Sequence, residues 1–388
     1  MPWSNDCATA QRLRLVLGML SGKEPVAELC RRFGISRQTA YKYFGRFRAD
    51  GRRGLRERSR RPKRVERFLA WRRRLRRLRR SYPTWGARKL RWRLRRLFPR
   101  VRLPGERTLQ RWLQQDGLSR RAVRKRAGRG PDPGRPRTVR RSNDVWTVDF
   151  KGWFRTKSGR RVEPLTVRDL HSRYLLAVTA VPDTGEPVVR RIFRRLFKKF
   201  GLPRAIRSDR GVPFCGTGPH GLTRLSLWWH RLGIRVEFVD RASRLDNNAH
   251  EQMHRMLKAE VARHPEHTLA AQQRRLDRWR DHYNHERPHQ ALGQRTPASR
   301  YRPGLRRPIR PANPGYPSGW LVRKVVGKGE VMAGGRRLGV GRAFVGLHVG
   351  LKPLGGSLHH VFFGPLLLGS IDLLLDRSLR PIIAPLHP

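Results

Sequence analysis

The sequence predicts a multidomain protein: N-terminal all-α helix-turn-helix modules, a central α/β domain and a C-terminal small β-barrel. Three observations predict it. Apolar residues recur at helical spacing up to about residue 115, with sharp turns between the runs. From Asn143 short alternating strands interleave with helices, as in an α/β domain. From about Trp320 short strands alternate with glycine turns. The 388 residues suffice for two or three domains at roughly 100–200 residues each.

The first module occupies residues 1–50. Helical runs cover Gln11–Leu20, Glu24–Phe33 and Arg37–Arg48. Gly34 suits the tight turn between the last two, and Ser36 is placed to accept an N–H from the first turn of the last helix. This is a helix-turn-helix layout. It puts Ser36, Arg37, Gln38, Thr39, Tyr41 and Lys42 at the leading end of the recognition helix, where base edges and phosphates would be met. Residues 51–64 read as a basic linker.

A second helix-turn-helix-like module is predicted over 65–118, from runs at Val65–Arg80, Gly86–Leu97 and Glu106–Gln115. Its last helix carries Arg111 on the candidate DNA-facing side. Residues 119–142, rich in Arg, Gly and Pro, read as a second basic linker, unstructured without DNA. Two tethered modules would span a longer DNA site than one.

Residues 143–302 form the predicted α/β domain and the helix that follows it. Strands are expected at Val145–Phe150, Arg161–Val167, Tyr174–Val181, Ala205–Ser208 and Ile234–Phe238. Helices are expected at Glu186–Phe200, Leu222–Leu232 and Asn248–Arg263. The β domain, residues 316–388, offers strands at Leu321–Val326, Val331–Ala333, Arg337–Val340 and His359–Phe363.

Charge narrows the partner. Lys plus Arg number 89 against 28 Asp plus Glu, a formal charge of +61. Part of this excess is the Arg bias of a GC-rich genome. The rest calls for a polyanion, because self-repulsion on this scale opposes compaction. Double-stranded DNA is the expected partner. With 37% hydrophobic residues, 11 Trp and 15 Phe, the chain has material for a core and is not a disordered basic tail. Cys7, Cys30 and Cys215 fit neither a disulfide framework nor a Cys-x-x-Cys zinc site, so a reducing cytoplasm is expected. No signal peptide opens the sequence, and the greasy stretch Val361–Leu375 is broken by Gly364-Pro365 and Asp372. No membrane association is expected.

In so basic a chain, acids at strand and helix ends stand out. Asp149 ends one apolar strand, Asp209 ends another just before a glycine turn, and Glu251 lies in a later helix. Gathered at one point, such carboxylates repel one another and make sense chiefly around divalent cations, for which hard oxygen ligands suit Mg²⁺ or Mn²⁺. Two such ions serve phosphoryl transfer.

The words around these acids carry a resemblance. Trp146-Thr147-Val148-Asp149-Phe150-Lys151-Gly152, Arg207-Ser208-Asp209-Arg210-Gly211-Val212-Pro213-Phe214 and Asp246-Asn247-Asn248-Ala249-His250-Glu251-Gln252-Met253-His254-Arg255 look like the three catalytic blocks of the integrase-core transposases of bacterial insertion sequences, relatives of retroviral integrases. The later Tyr283-Asn284-His285-Glu286-Arg287-Pro288-His289-Gln290-Ala291-Leu292 with Thr296-Pro297 is similar to that family's motif after the core. The likeness spans nearly the whole chain.

It implies an RNase H-like fold with a D-D-E triad of Asp149, Asp209 and Glu251 holding two Mg²⁺ or Mn²⁺ ions. It implies metal-dependent cleavage and strand transfer at the terminal inverted repeats of an insertion sequence, by a homo-oligomer assembled on DNA in the bacterial cytoplasm, at the nucleoid. The family usually has Asn where Arg210 stands and Gly where Asn248 stands. The span from Asp209 to Glu251 is also long for the family, and Gly216–Gly221 reads as an inserted loop. Arg255 and Lys258, four and seven residues after Glu251, share its helix face and are candidates for holding DNA phosphates. Trp228 and Trp229 read as core.

Two rival readings remain. His250-Glu251-Gln252-Met253-His254 satisfies the H-E-x-x-H pattern of zinc proteases. A protease needs neither Asp149 nor Asp209, and no third ligand is fixed downstream. The other rival is a non-catalytic helix-turn-helix regulator or an inactive transposase, which would keep the modules and lack the chemistry.

Overall fold

The computed structural model describes residues 8–57, 65–119, 139–239, 244–306, 311 and 313–381. The chain divides into two units, Met1–Arg74 and Leu75–Pro388.

In the first unit α1 (Ala8–Ser21), α2 (Val26–Phe33) and α3 (Arg37–Asp50) follow one another closely. Gly34 adopts a left-handed conformation (φ 62°) between α2 and α3, and Ser36 caps α3 by accepting the Thr39 N–H. Leu15, Leu29, Cys30 and Ala40 form one small core, and Val16, Tyr43 and Leu55 a second. The expected linker is ordered where it begins: Gly51–Leu55 make a 3₁₀ turn that buries Leu55, and the buried Arg12 guanidinium donates to the Leu55 carbonyl at 2.9 Å. Most of the second expected linker lies outside the described residues.

α4 (Val65–Ser81) runs from the first unit into the second. There α5 (Ala87–Leu97) and α6 (Glu106–Gln115) pack through Leu90, Leu94, Leu109 and Leu113. The α/β domain follows with β1 (Val145–Phe150), β2 (Phe154–Arg155), β3 (Arg161–Asp169) and β4 (Leu175–Val181). Next come α7 (Glu186–Phe200), β5 (Ala205–Ser208), α8 (Arg224–Arg231), β6 (Arg235–Phe238) and α9 (Arg244–Leu257). α9 does not continue as α-helix to Arg263: it widens into a π turn at Lys258–Ala262. α10 (Leu269–His285), capped by Thr268, and the short α11 (Pro297–Arg300) complete the domain.

β1 lies at the sheet's centre. It pairs antiparallel with β3 and parallel with β5; β4 pairs with β3 and β6 with β5. α7 shows why one face closes. Its Val189, Ile192, Phe193, Leu196, Phe197 and Phe200 recur at helical spacing and meet Trp146 and Val148 of β1, together with α8's Trp228 and Trp229. Met253 and Leu257 of α9, Val261, and Leu276, Trp279 and Tyr283 of α10 cover Leu175 and Val178 on β4.

The C-terminal region is β, as expected, but its sheets are open. β7 (Leu321–Lys324), β10 (His348–Gly355), β11 (Leu358–Phe363), β12 (Leu366–Asp372) and β13 (Arg380–Pro381) form a five-stranded sheet in the order β13-β12-β11-β10-β7. β8 (Glu330–Ala333) and β9 (Arg336–Gly339) form a separate hairpin, so no closed barrel is made. The sequence reading missed β10 and β12; Gly350 and Gly369 interrupt their apolar patterns. The inserted loop docks here. Leu222 and α8's Leu227 join the β core, and His220 Nε2 lies 2.6 Å from the Leu367 carbonyl. Among the described residues no helix is long and apolar enough to cross a membrane.

Candidate active site

Alternation along β1 sets the site. Side chains on a strand point to opposite faces in turn. Trp146 and Val148 enter the core beneath α7, so Thr147 and Asp149 take the other face, toward α9. Asp149 stands directly opposite Thr166 in the β1–β3 register. On the other side Thr147 pairs with Arg207 of β5, so the second acid, just past the end of β5, comes level with the first. Asp209 is half-buried, and its Oδ1 accepts the Gly211 N–H at 3.1 Å. Glu251 is exposed on α9.

The second and third acids act electrostatically on the first. Burial raises the Asp149 carboxyl to about 7, and the charges of Asp209 and then Glu251 push it the same way. Phe150 and Lys151 oppose the shift. Burial and Lys258 lower the Lys151 ammonium, while Asp149 raises it. Arg255, on the helix that carries Glu251, and Lys258, at the start of the π turn after it, are both exposed. Arg210, the departure from the family pattern, is exposed, with its guanidinium 6.0 Å from the Phe238 ring centroid.

A histidine pair joins α9 to the sheet. Thr166 Oγ1 donates to the Asp149 carbonyl at 2.9 Å and contacts Nε2 of His250 at 2.8 Å and of His254 at 2.9 Å. His250 Nδ1 sits 3.2 Å from Thr147 Oγ1, and His254 Nδ1 lies 3.7 Å from Asp149 Oδ2. Burial, then Lys151 and Arg168, lower His254 to about 3; burial, then Arg168 and His254, hold His250 well below its ordinary value. Both rings are neutral near pH 7. The zinc-protease arrangement is not formed: both nitrogens of His250 are engaged by threonines, and Glu251 faces solvent instead of a shared His–His ion. Asp149, His250 and His254 nonetheless hold their ligand atoms within 4.8 Å of one another.

The DNA-facing candidates sit as follows. Arg37, Gln38, Tyr41 and Lys42 are exposed at the start of α3; Ser36 is exposed with its hydroxyl engaged as a cap, and Thr39 is half-buried. Arg111 is exposed on α6. Sequence reasoning missed Lys151 and Thr166 as site neighbours and considered His254 only as a zinc ligand in the protease reading, not as a neighbour of Asp149. Lys151 stood two residues past the first acid, and the pairing of Thr166 with Asp149 is a matter of sheet register, which the sequence does not spell out.

The second helical module is seated on the α/β domain. Tyr82 donates to Glu286 at 3.2 Å, Thr84 donates to Glu260, and Arg287 lies over the Trp85 ring with its guanidinium 5.9 Å from the centroid.

Models of the integrase core domain match residues 139–243 and 232–297, and a helix-turn-helix domain model matches residues 11–63. The chain is 27% identical over 197 residues to an insertion element IS407 uncharacterized 31.7 kDa protein of Burkholderia multivorans, covering 49% of this chain and 66% of that one. It is 28% identical over 177 residues to an insertion element IS476 uncharacterized 39.2 kDa protein of Xanthomonas euvesicatoria, covering 45% and 49% respectively. It thus spans about two thirds and about half the length of these two relatives. Among solved structures, the HTLV-2 integrase catalytic core domain in complex with magnesium matches with a TM-score of 0.34 and 13% identity, over 42% of this chain and 98% of that one. A simian T-cell lymphotropic virus intasome in complex with a PP2A regulatory subunit matches with a TM-score of 0.36 and 17% identity, over 78% and 98%. The two integrase core matches between them take in all three acid blocks, a helix-turn-helix domain match precedes them, and the curated relatives are insertion element proteins.

Proposed function

We propose that this protein is an insertion-sequence transposase that cuts DNA at terminal inverted repeats and joins the freed ends to target DNA, with Asp149, Asp209 and Glu251 holding two divalent ions. The observation that carries the reading is the Asp149 carboxyl. It is raised to about 7 by burial and by two other acids distant in sequence, in a chain with cations to spare. A carboxylate destabilised in this way is relieved by a divalent cation, and an all-oxygen set of acids fits Mg²⁺ or Mn²⁺. When bound, such ions supply Lewis-acid stabilisation for phosphoryl transfer.

The protein's own residues do the rest. Asp149 and Asp209 are fixed by neighbouring strands of one sheet, and Glu251 comes from the helix laid across that sheet, so the acids are preorganised before DNA arrives. Lys151, Arg255 and Lys258 surround this corner with positive charge and hold the scissile strand by its phosphates. The helix-turn-helix residues Arg37, Gln38, Thr39, Tyr41 and Lys42 select the repeat, with Ser36 fixing the helix start, and Arg111 adds a contact from the second module. No side-chain nucleophile is required, so no covalent protein–DNA adduct forms. Two element ends must meet, which calls for at least a dimer on DNA.

The test is cleavage and strand transfer on oligonucleotides carrying the inverted repeats, with Mg²⁺ or Mn²⁺. Wild type should yield both products. Asp149→Asn should yield neither while binding the same DNA with unchanged affinity. A wild-type protein that binds and never cuts would make the chain a regulator.

A further inference from the structure

We infer that His254 supplies a nitrogen ligand to the metal position of Asp149, so that this position prefers Mn²⁺, Co²⁺ or Zn²⁺ to Mg²⁺. The inference rests on the reading of Asp149 as a metal-holding residue.

Thr166 has a single hydroxyl proton, which it donates to the Asp149 carbonyl at 2.9 Å. Its lone pairs must then accept the other two contacts. Both His250 Nε2, at 2.8 Å, and His254 Nε2, at 2.9 Å, are therefore protonated and donating. In a neutral ring that leaves Nδ1 bare. For His250 the bare Nδ1 accepts from Thr147 Oγ1 at 3.2 Å, nearer than the Arg168 carbonyl at 3.4 Å that competes for the same proton. His250 is thus used up and acts as an anchor.

His254 differs. Its bare Nδ1 points at Asp149 Oδ2 across 3.7 Å, too far for a hydrogen bond. A carboxylate oxygen and a bare imidazole nitrogen at this range repel unless a proton or a metal ion lies between them, and 3.7 Å is too long for a shared proton. Ligand bonds of about 2.1 Å at a tetrahedral angle set two donor atoms about 3.4 Å apart, so a gap of this size accepts an ion with little movement. The remaining nitrogen is held as metal-bound histidines usually are: Nε2–H donates to Thr166, which in turn is tied to the backbone of Asp149 itself. Imidazole nitrogen suits transition-metal ions such as Co²⁺ and Zn²⁺, and Mn²⁺, though at home among oxygen ligands, takes it more readily than Mg²⁺, which keeps to oxygen. Three elements meet in this arrangement: β1 gives Asp149, β3 gives Thr166 and α9 gives His254, with the His250 anchor one turn earlier fixing the helix.

The full-length protein is to be titrated calorimetrically with Mn²⁺ and with Mg²⁺, and the Mn²⁺-loaded form examined by pulsed electron paramagnetic resonance for ¹⁴N coupling. Wild type should show directly coupled nitrogen and bind Mn²⁺ at least about tenfold more tightly than Mg²⁺. His254→Gln keeps a donor for Thr166 and removes the Nδ1 lone pair. It should lose the nitrogen coupling and roughly tenfold in Mn²⁺ affinity, with Mg²⁺ affinity within about twofold of wild type. Mn²⁺ bound to wild type without nitrogen coupling would overturn the inference, and that measurement needs no variant to fold. Loss of both ions in Asp149→Asn, with His254→Gln unchanged, would overturn the histidine's role and leave the carboxylate reading standing. Asp149→Asn binding both ions as wild type does would overturn both.

Discussion

The Arg287 guanidinium, 1% exposed, pairs with the Glu260 carboxylate inside the π turn that follows α9. Glu260 also accepts from Trp279 Nε1 at 2.6 Å and from Thr84. Burial raises this carboxyl, yet Arg287 and the three donors more than offset it, and the net shift is downward. One acid thereby links the end of the site helix, α10, the motif after the core and the second helical module. Breaking a buried pair from one side strands the other charge. Glu260→Ala should cost about 3–5 kcal/mol in a denaturant titration. Glu260→Met combined with Arg287→Met should recover most of that loss. An exposed-pair value of about 1 kcal/mol or less for Glu260→Ala would refute the buried-network account.

His289 carries a pH dependence. Burial, reinforced by Lys89 and Arg287, lowers its imidazole to about 3, and it lies edge-on to Tyr283 with centroids 4.7 Å apart. The folded state keeps this ring neutral where the unfolded chain protonates it, below about 6.5. Between pH 6.5 and 3 the unfolded state therefore binds more protons, and stability falls as the solution is acidified. The loss attributable to His289 should be about 2 kcal/mol at pH 5. His289→Phe should flatten the stability profile between pH 7 and 5 by that amount, and an unchanged slope would show the ring already paired or protonated.

Salt dependence separates phosphate holders from surface cations. Arg255 is exposed on α9, and Lys258 is exposed at the first position of the π turn that continues it. If each neutralises a phosphate, Arg255→Ala and Lys258→Ala should each reduce the slope of log affinity against log salt by about one. Affinity should drop alike on specific and random DNA. Arg37→Ala or Lys42→Ala, at the start of α3, should instead narrow the gap between the two kinds of DNA. Slopes unchanged in Arg255→Ala and Lys258→Ala would mark the two cations as solvated surface.

Local signals were legible where local physics decides. The expected spans of β1, α6, α7 and β5 match the structure to the residue; the two helices each open on a glycine and carry one clear period. The Ser36 cap formed as its position predicts. What the sequence hid was set at a distance. The 3₁₀ turn at Gly51–Leu55 looked like linker because its anchor, Arg12, lies far upstream. The π turn interrupts a helical pattern that read as continuous, since the ion pair holding Glu260 comes from Arg287 beyond the next helix. The acids could be nominated from their places at strand ends. The threonines and the histidine that surround Asp149 needed sheet register to be seen.

The second acid rests on a glycine. Gly211 N–H donates to Asp209 Oδ1 at 3.1 Å, and a Cβ added at Gly211 would stand 3.1 Å from Asp209 Oδ2 and 3.2 Å from Oδ1. Those separations are tighter than a methyl and a carboxylate ordinarily tolerate, and the carboxylate is the part free to turn away. Gly211→Ala should therefore leave the fold within about 1 kcal/mol of wild type, because surface loop changes are small when no core atom is displaced. It should weaken divalent-ion binding and cut strand cleavage by an order of magnitude or more, as a misplaced charge at a preorganised site does. Calorimetry with Mn²⁺, run beside a thermal melt, separates the two effects. If affinity and cleavage both survive while the melt is unchanged, Asp209 is not held by this turn in the state that binds metal.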